Sequence, residues 1–141
     1  EINLKNLISD LKLNKQISLH GQVPLNEIPN IISKSDLGII SYKIDDSTDM
    51  FLPLKLLEYI AMEIPVLTIS NNVIKYYFKD SELFFYENGK NGSFSKKLRE
   101  ILEDNSLLLD AKKEIKLLNK KFSWGKEKSK LQEVVLKLLM N

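Results

Sequence analysis

The sequence contains no cysteine, one histidine and one tryptophan among its 141 residues. Without cysteine it can form neither a disulfide framework nor a thiolate metal site, and His20 alone cannot bind zinc. No run of residues approaches the ~20 consecutive apolar positions of a transmembrane helix, and no signal peptide is visible. These absences favour a cytoplasmic location, and we expect neither a metal nor a cofactor.

An excess of charge of one sign is also missing. The 21 basic and 19 acidic side chains leave a net charge of +2, which is too small to attract nucleic acid by bulk electrostatics. The hydrophobic content of 43% and charged content of 28% are typical of a globular protein. We expect residues 1–141 to form a single domain. Because the chain begins at Glu1 rather than methionine, we also expect it to be a truncated part of a longer protein.

Strand-like and helix-like patterns alternate along the chain. Short apolar or β-prone runs predict four strands, at residues 16–20, 37–41, 65–69 and 83–86. Apolar residues at helical spacing predict helices near residues 1–12, 29–34, 53–62, 71–79, 93–102, 108–118 and 123–138. Asn71 and Ser93 are candidate helix caps. This alternation predicts an α/β fold in which a Rossmann-like parallel sheet is flanked by helices.

The segment 42–50, YKIDDSTDM, is polar and has no regular period. We interpret it as a loop. Its three aspartates, Asp45, Asp46 and Asp49, could suggest a metal site, but a flexible acidic loop is the preferred interpretation.

The stretch LPLKLLEYIAMEIPVLTIS, residues 52–70, predicts a short buried helix followed by a buried strand. Pro53 suits the first helical position, where a missing N–H costs nothing. The helix is apolar nearly all round, which predicts burial. Only Lys55 and Glu58 interrupt it, and because they are three residues apart they lie on one face. They should therefore pair with each other or line a cleft.

The pattern P-x-K-x-x-E-Y-x-A-M-x-x-P-V, residues 53–66, resembles the donor-site motif of GT-B glycosyltransferases, especially the retaining family four. The resemblance extends upstream to SKSDLGIISY at 33–42 and to HGQV at 20–23, in the order that the family shows. It implies that the chain is the C-terminal part of a GT-B C-terminal domain, which binds a nucleotide-sugar.

The resemblance also implies an activity and its partners. The parent enzyme would transfer a sugar from a nucleoside diphosphate sugar to a glycan or lipid acceptor in cell-surface polysaccharide synthesis. An N-terminal domain missing from this chain would bind the acceptor, so we expect the chain alone to be inactive. Through the parent enzyme, peripheral association with the inner membrane face is also implied.

Two candidate donor-binding residues follow from the same comparison, and three more follow from their positions in the predicted fold. The family glutamate that corresponds to Glu58 holds the ribose of the donor, and the family glycine that corresponds to Gly21 lets the backbone approach the donor. Leu54 and Lys55, in the first turn of the helix, are candidates for a phosphate seat. Tyr42 lies where a strand should end, at the predicted rim of the site. No catalytic residue is identified.

Simpler interpretations of these residues stay open. Glu58 and Lys55 could form only an ion pair, and Gly21 could be only a turn at a strand end. The family pattern places a second acid eight residues before the glutamate, where this chain has Met50. Asp49 could replace that acid only if the loop shifted by one residue.

Two other functions are compatible with the sequence. One is a sugar-nucleotide epimerase of the same architecture. The other is a non-catalytic, flavodoxin-like interaction domain in which the ion pair has only a structural role.

Overall fold

A parallel three-stranded sheet forms the centre of the chain. The structure is a computed structural model that describes residues 2–140. The strands are β1 (Gly38–Ile40), β2 (Val66–Ile69) and β3 (Phe84–Tyr86), in the spatial order β1-β2-β3. Gly38 lies opposite Val66, and Leu67 lies opposite Phe84. Each strand is joined to the next by a segment that contains a helix, so the α/β prediction is confirmed.

The helices lie between and after these strands. They are α1 (Ile2–Asp10), α2 (Ile28–Ile32), α3 (Leu54–Ala61), α4 (Asn72–Tyr77), α5 (Ser93–Glu103), α6 (Asn105–Lys121) and α7 (Trp124–Leu139), with a 3₁₀ turn at Leu25–Glu27. Within residues 2–140, no helix is long and apolar enough to cross a membrane.

The central strand β2 is buried along its whole length. Its alternate side chains point to opposite faces of the sheet, where two separate apolar clusters cover it. The cluster on one face includes Val66 with residues of α3, α4 and α6, and the cluster on the other face includes Leu67 and Ile69 with Ile101 of α5. The predicted fully buried strand at 65–69 is therefore confirmed.

The strand predicted at residues 16–20 is wrong. These residues have irregular backbone, and the side chains of Ile17 and Leu19 are 41% and 39% exposed. A strand forms only where a neighbour accepts and donates its backbone hydrogen bonds. In the described part of the chain β1 pairs only with β2, so the run 16–20 has no strand beside it.

Helix α3 begins one residue later than expected and is buried on only one side. Pro53 is the N-cap, with extended backbone (φ −65°, ψ 129°), and Leu54 is the first helical residue. Leu56 and Ile60 are buried, at 0% and 1% exposure, because they pack against the sheet and α6. Leu54 is 71% exposed, so the prediction of an all-round buried helix is wrong.

The predicted helix caps have mixed outcomes. The Asn71 side chain accepts a hydrogen bond from Ile74 N and caps α4, as predicted. Helix α5 is preceded instead by Gly92 in the left-handed conformation (φ 77°), and Ser93 is its first residue. The Ser93 hydroxyl accepts a hydrogen bond from Glu87 N at 2.8 Å, so it holds the preceding loop rather than the helix.

Helix α7 has the predicted amphipathic spacing, but the rest of the described chain does not cover its apolar side. The residues on that side are exposed by 44–73%. They are Leu131, Val134, Val135 and Leu138.

Candidate functional site

The candidate site lies where β1 and β2 end and α3 begins. The connection from β1 to α3, residues 41–53, follows the carboxyl end of β1 and is called the β1–α3 loop below. The carboxyl end of β2 leads into Ser70 and Asn71 beside it. In open parallel α/β sheets, ligands bind at this edge.

The first turn of α3 presents backbone amides at this edge. The first amide with a partner inside the helix is that of Leu56, which donates to Pro53 O at 3.0 Å. Helix geometry leaves the amides of Leu54 and Lys55 without an intrahelical acceptor. They form the positive end of the helix dipole, which favours an anion.

Lys55 and Glu58 do not pair with each other. Both are exposed, and within residues 2–140 neither takes part in a salt bridge. The interpretation of these residues as an ion pair therefore finds no support in the geometry. Both charges are available to a ligand.

Glu58 borders an open groove of about 260 Å³ between α2 and α3. The other side chains of this groove are all apolar, and they are Leu25, Ile28, Pro29, Ile32, Ala61 and Met62. A carboxylate beside an apolar groove can accept hydrogen bonds from a ligand whose remaining surface is apolar.

Tyr42 lies near the start of the β1–α3 loop. Its hydroxyl accepts a hydrogen bond from Asn71 Nδ2 at 2.7 Å, and its ring meets the Phe51 ring edge-on at 6.4 Å between centroids. Burial, together with the negative charge of Asp49, raises the pKa of Tyr42 above its ordinary value. The Tyr42 hydroxyl thus connects the start of the loop to Asn71, which follows β2.

Gly21 is not connected to Tyr42, Lys55 or Glu58 by hydrogen bonds among the described residues. It has a left-handed backbone (φ 64°) in an exposed irregular stretch, which any residue with a Cβ would adopt less readily. Because residues 16–20 form no strand, Gly21 does not end one. Among the described residues, no hydrogen bond joins it to α3 or to the β1–α3 loop.

The β1–α3 loop is irregular, as predicted, but hydrogen bonds hold its turn in place. The Asp45 carboxylate accepts from Ser47 N at 3.0 Å, from Ser47 Oγ at 2.7 Å and from Thr48 N at 3.0 Å. Thr48 Oγ1 in turn donates to Lys43 O at 2.9 Å. The acidic segment is therefore an ordered turn. In the part of the chain that the structure describes, no three His, Cys, Asp or Glu side chains are arranged to hold a metal.

The turn should titrate with Asp45. The Ser47 hydroxyl, followed by the Thr48 amide, lowers the pKa of Asp45 from 3.8 to about 2. Because the folded pKa is below the ordinary value, the contribution to stability is complete above about pH 4 and is lost as pH falls toward 2. NMR titration of the Asp45 carboxyl carbon measures this pKa. Removing the hydroxyl in Ser47→Ala should move it upward, and a wild-type value near 3.8 would contradict the described turn.

Asp49 is engaged at the start of α4. Its carboxylate accepts hydrogen bonds from Asn72 N, at 3.1 Å, and from Asn72 Nδ2. Met50 occupies the position of the family's second acid and is 73% exposed. The Asp49 carboxylate is therefore directed to Asn72 at the start of α4.

Asn71 has a wider role than the predicted cap of α4. The sequence pattern indicates the acceptor that caps α4 but not the donor group on the same side chain. The amide nitrogen Nδ2 lies within hydrogen-bond distance of Tyr42 Oη, Thr48 O and Phe51 O. These partners lie 20 to 29 residues upstream, so no local pattern could have revealed them.

The fold and the site together define a Rossmann-like α/β domain with an anion-favouring helix terminus beside an exposed carboxylate. The family model described as "Glycosyl transferases group 1" matches residues 1–118, and the chain belongs to this family. Comparison with curated protein sequences found no significant match.

A solved structure has the same fold. Sucrose-phosphate synthase from Thermosynechococcus elongatus superposes with a TM-score of 0.72 at 15% sequence identity. The match covers 97% of this chain and 34% of that enzyme, so this chain spans about a third of the length of its relative. The family match and this likeness confirm the resemblance to GT-B glycosyltransferases. Assignment to the retaining family four stays a prediction.

Proposed function

We propose that the chain is the donor-binding domain of a glycosyltransferase. The enzyme would transfer a sugar from a nucleoside diphosphate sugar to a glycan or lipid acceptor in cell-surface polysaccharide synthesis. One observation carries the proposal: in a group 1 family domain, the carboxylate of Glu58 is exposed and unpaired within the described residues, on the helix that begins at the ligand-binding edge.

The donor would contact both ends of α3. The Glu58 carboxylate accepts hydrogen bonds and suits the two neighbouring hydroxyls of a ribose. The adjoining apolar groove would receive the flat faces of the base. The amides of Leu54 and Lys55, with the Lys55 ammonium, would bind the diphosphate.

The same groups would assist the chemistry. As the bond between sugar and diphosphate breaks, negative charge grows on the leaving diphosphate. Fixed amide dipoles and a lysine stabilise such charge more in the transition state than in the ground state. A second domain would bind the acceptor, and association with a membrane would occur through the complete enzyme.

The proposal predicts that Glu58→Ala weakens nucleotide binding by about tenfold or more. Losing a hydrogen bond to a charged group costs ~1.5–3 kcal/mol, and each 1.4 kcal/mol is a factor of ten in affinity. Calorimetric titration of wild type and variant with UDP, GDP and ADP measures this change and identifies the base.

Glu103→Ala is the matched control. Glu103 is an exposed glutamate near the end of α5 and has no ion-pair partner in the described part of the chain. Its removal should leave the affinity unchanged. The proposal fails if the wild type binds none of the three nucleotides at millimolar concentration, or if both variants bind like the wild type.

A further inference from the structure

Asn71 is a buried polar side chain at the carboxyl end of the central strand. It is 4% exposed, and both ends of its amide are used. Its Oδ1 accepts from Ile74 N at 2.6 Å, which caps α4. Its Nδ2 lies 2.7 Å from Tyr42 Oη, 3.2 Å from Thr48 O and 2.9 Å from Phe51 O. A buried amide of this kind is costly unless it is satisfied, and here it is.

The choice of asparagine is informative because a helix cap requires only an acceptor. Aspartate and serine cap helices about as well as asparagine does. A carboxylate, however, has no hydrogen to give to the carbonyls of Thr48 and Phe51. The amide of Asn71 therefore serves the β1–α3 loop as well as α4.

The bonds from Asn71 reach the segment that leads into α3. Phe51 lies two residues before the N-cap Pro53, so its carbonyl is close to the first turn of the helix. The contact between Asp49 and Asn72 holds the same part of the loop to the start of α4. Two residues that follow β2, Asn71 and Asn72, thus contact the loop segment that leads into α3.

We infer that Asn71 is a positioning residue that holds the β1–α3 loop, and with it the first turn of α3, in place for the donor. The inference rests on the proposed function, because Leu54 and Lys55 in that turn would bind the diphosphate. Asn71 itself need not touch the donor. Its effect on binding is transmitted through the carbonyls of Thr48 and Phe51.

Asn71→Asp separates the two roles of the side chain. It keeps an acceptor for Ile74 N but places a carboxylate against two carbonyl oxygens. In hydrogen exchange, the amides of Asp49 and Phe51, which donate within the loop, should exchange about tenfold faster, while Ile74 N stays protected. Affinity for the nucleotide that the wild type binds best should fall roughly three- to tenfold.

Two further variants complete the test. Asn71→Ser keeps an oxygen acceptor for the cap of α4 and removes both Nδ2 hydrogens without adding a charge, so it should change loop exchange and affinity in the same direction by less. It keeps the inference testable if Asn71→Asp does not fold. Asp104→Ala removes the cap of α6, where Asp104 accepts from Ser106 N at 2.9 Å, and touches no part of the loop. It should leave both readouts at their wild-type values.

The outcomes distinguish the inference from the function on which it rests. Faster loop exchange together with weaker nucleotide binding supports the inference. Unchanged loop exchange in Asn71→Asp overturns it and leaves only a helix cap, and faster exchange at unchanged affinity overturns the link to the donor. In both of these cases the wild type still binds a nucleotide. If the wild type binds none, the proposed function fails and the donor role of Asn71 fails with it.

Discussion

Leu56→Ala should lower the free energy of unfolding by about 2–5 kcal/mol, whereas Leu54→Ala should change it by less than about 0.5 kcal/mol. Leu56 is fully buried between the sheet and α6, and Leu54 is 71% exposed. Deleting three carbon atoms at the buried site removes apolar contacts and leaves a cavity. At the exposed site, water already surrounds most of the side chain, so the same deletion removes few contacts and leaves no cavity.

The pair is closely matched. Both residues belong to α3, both changes are the same, and both gain the same small helix propensity of alanine. The difference between them therefore reports burial. Urea denaturation measures the two losses of unfolding free energy, provided that the m-value, the dependence of this free energy on urea concentration, is the same in both variants. Equal losses in the two variants would show that α3 does not present the side containing Leu56 and Ile60 to the core.

The sequence predicted that α3 exists more reliably than it predicted how α3 packs. Its length, the preceding proline and the following Pro65–Ile69 run were enough to locate the helix. The helical wheel suggested burial all round because leucine occupies most positions. Burial, however, depends on which neighbours reach each side, and in the described chain the sheet and α6 reach only one.

The strands show the same distinction between local and non-local information. The predicted runs 65–69 and 83–86 contain strands β2 and β3 because each has a partner within the described sheet. The run 16–20 has comparable β propensity and no such partner. Strand propensity mainly reflects the surroundings that a strand packs against, so the local pattern could not separate these cases.

The site could be predicted only in part for a related reason. Lys55 and Glu58 stand at fixed spacing in one motif, and the structure leaves both exposed without joining them. The role of Asn71 depends on carbonyls that belong to a loop 20 or more residues upstream. Such hydrogen bonds are set by the tertiary fold and have no signature in the spacing of residues.

Gly38→Ala should destabilise the domain by about 1–3 kcal/mol, the usual cost of adding a methyl group to a packed site. A Cβ at Gly38 would lie 2.7 Å from Cγ, Cδ1 and Cδ2 of the Tyr59 ring. Gly38 does not have a positive φ, so the cost is steric rather than conformational. Urea or thermal unfolding would measure the loss.

Gly125→Ala is the control for this change. Gly125 lies in α7, and a Cβ there would have no heavy atom within 4 Å. Alanine is a better helix former than glycine by up to ~1 kcal/mol, so this variant should be neutral or slightly stabilised. If Gly38→Ala behaved like Gly125→Ala, the close packing of Tyr59 on β1 would be contradicted.

The clash at Gly38 should also reach the proposed donor site. Tyr59 follows Glu58 directly on α3, so a ring displaced from β1 would move the helix that carries the carboxylate. Gly38→Ala should therefore weaken nucleotide binding as well as stability, although Gly38 would not touch the donor. In the double variant Gly38→Ala/Tyr59→Leu, a smaller side chain replaces the ring. This variant should recover part of the lost stability and part of the lost nucleotide affinity, because residues in contact have non-additive effects. If stability recovered but binding did not, relief of the clash would not be enough to restore the position of Glu58. The aromatic ring of Tyr59 would then itself be needed to position Glu58.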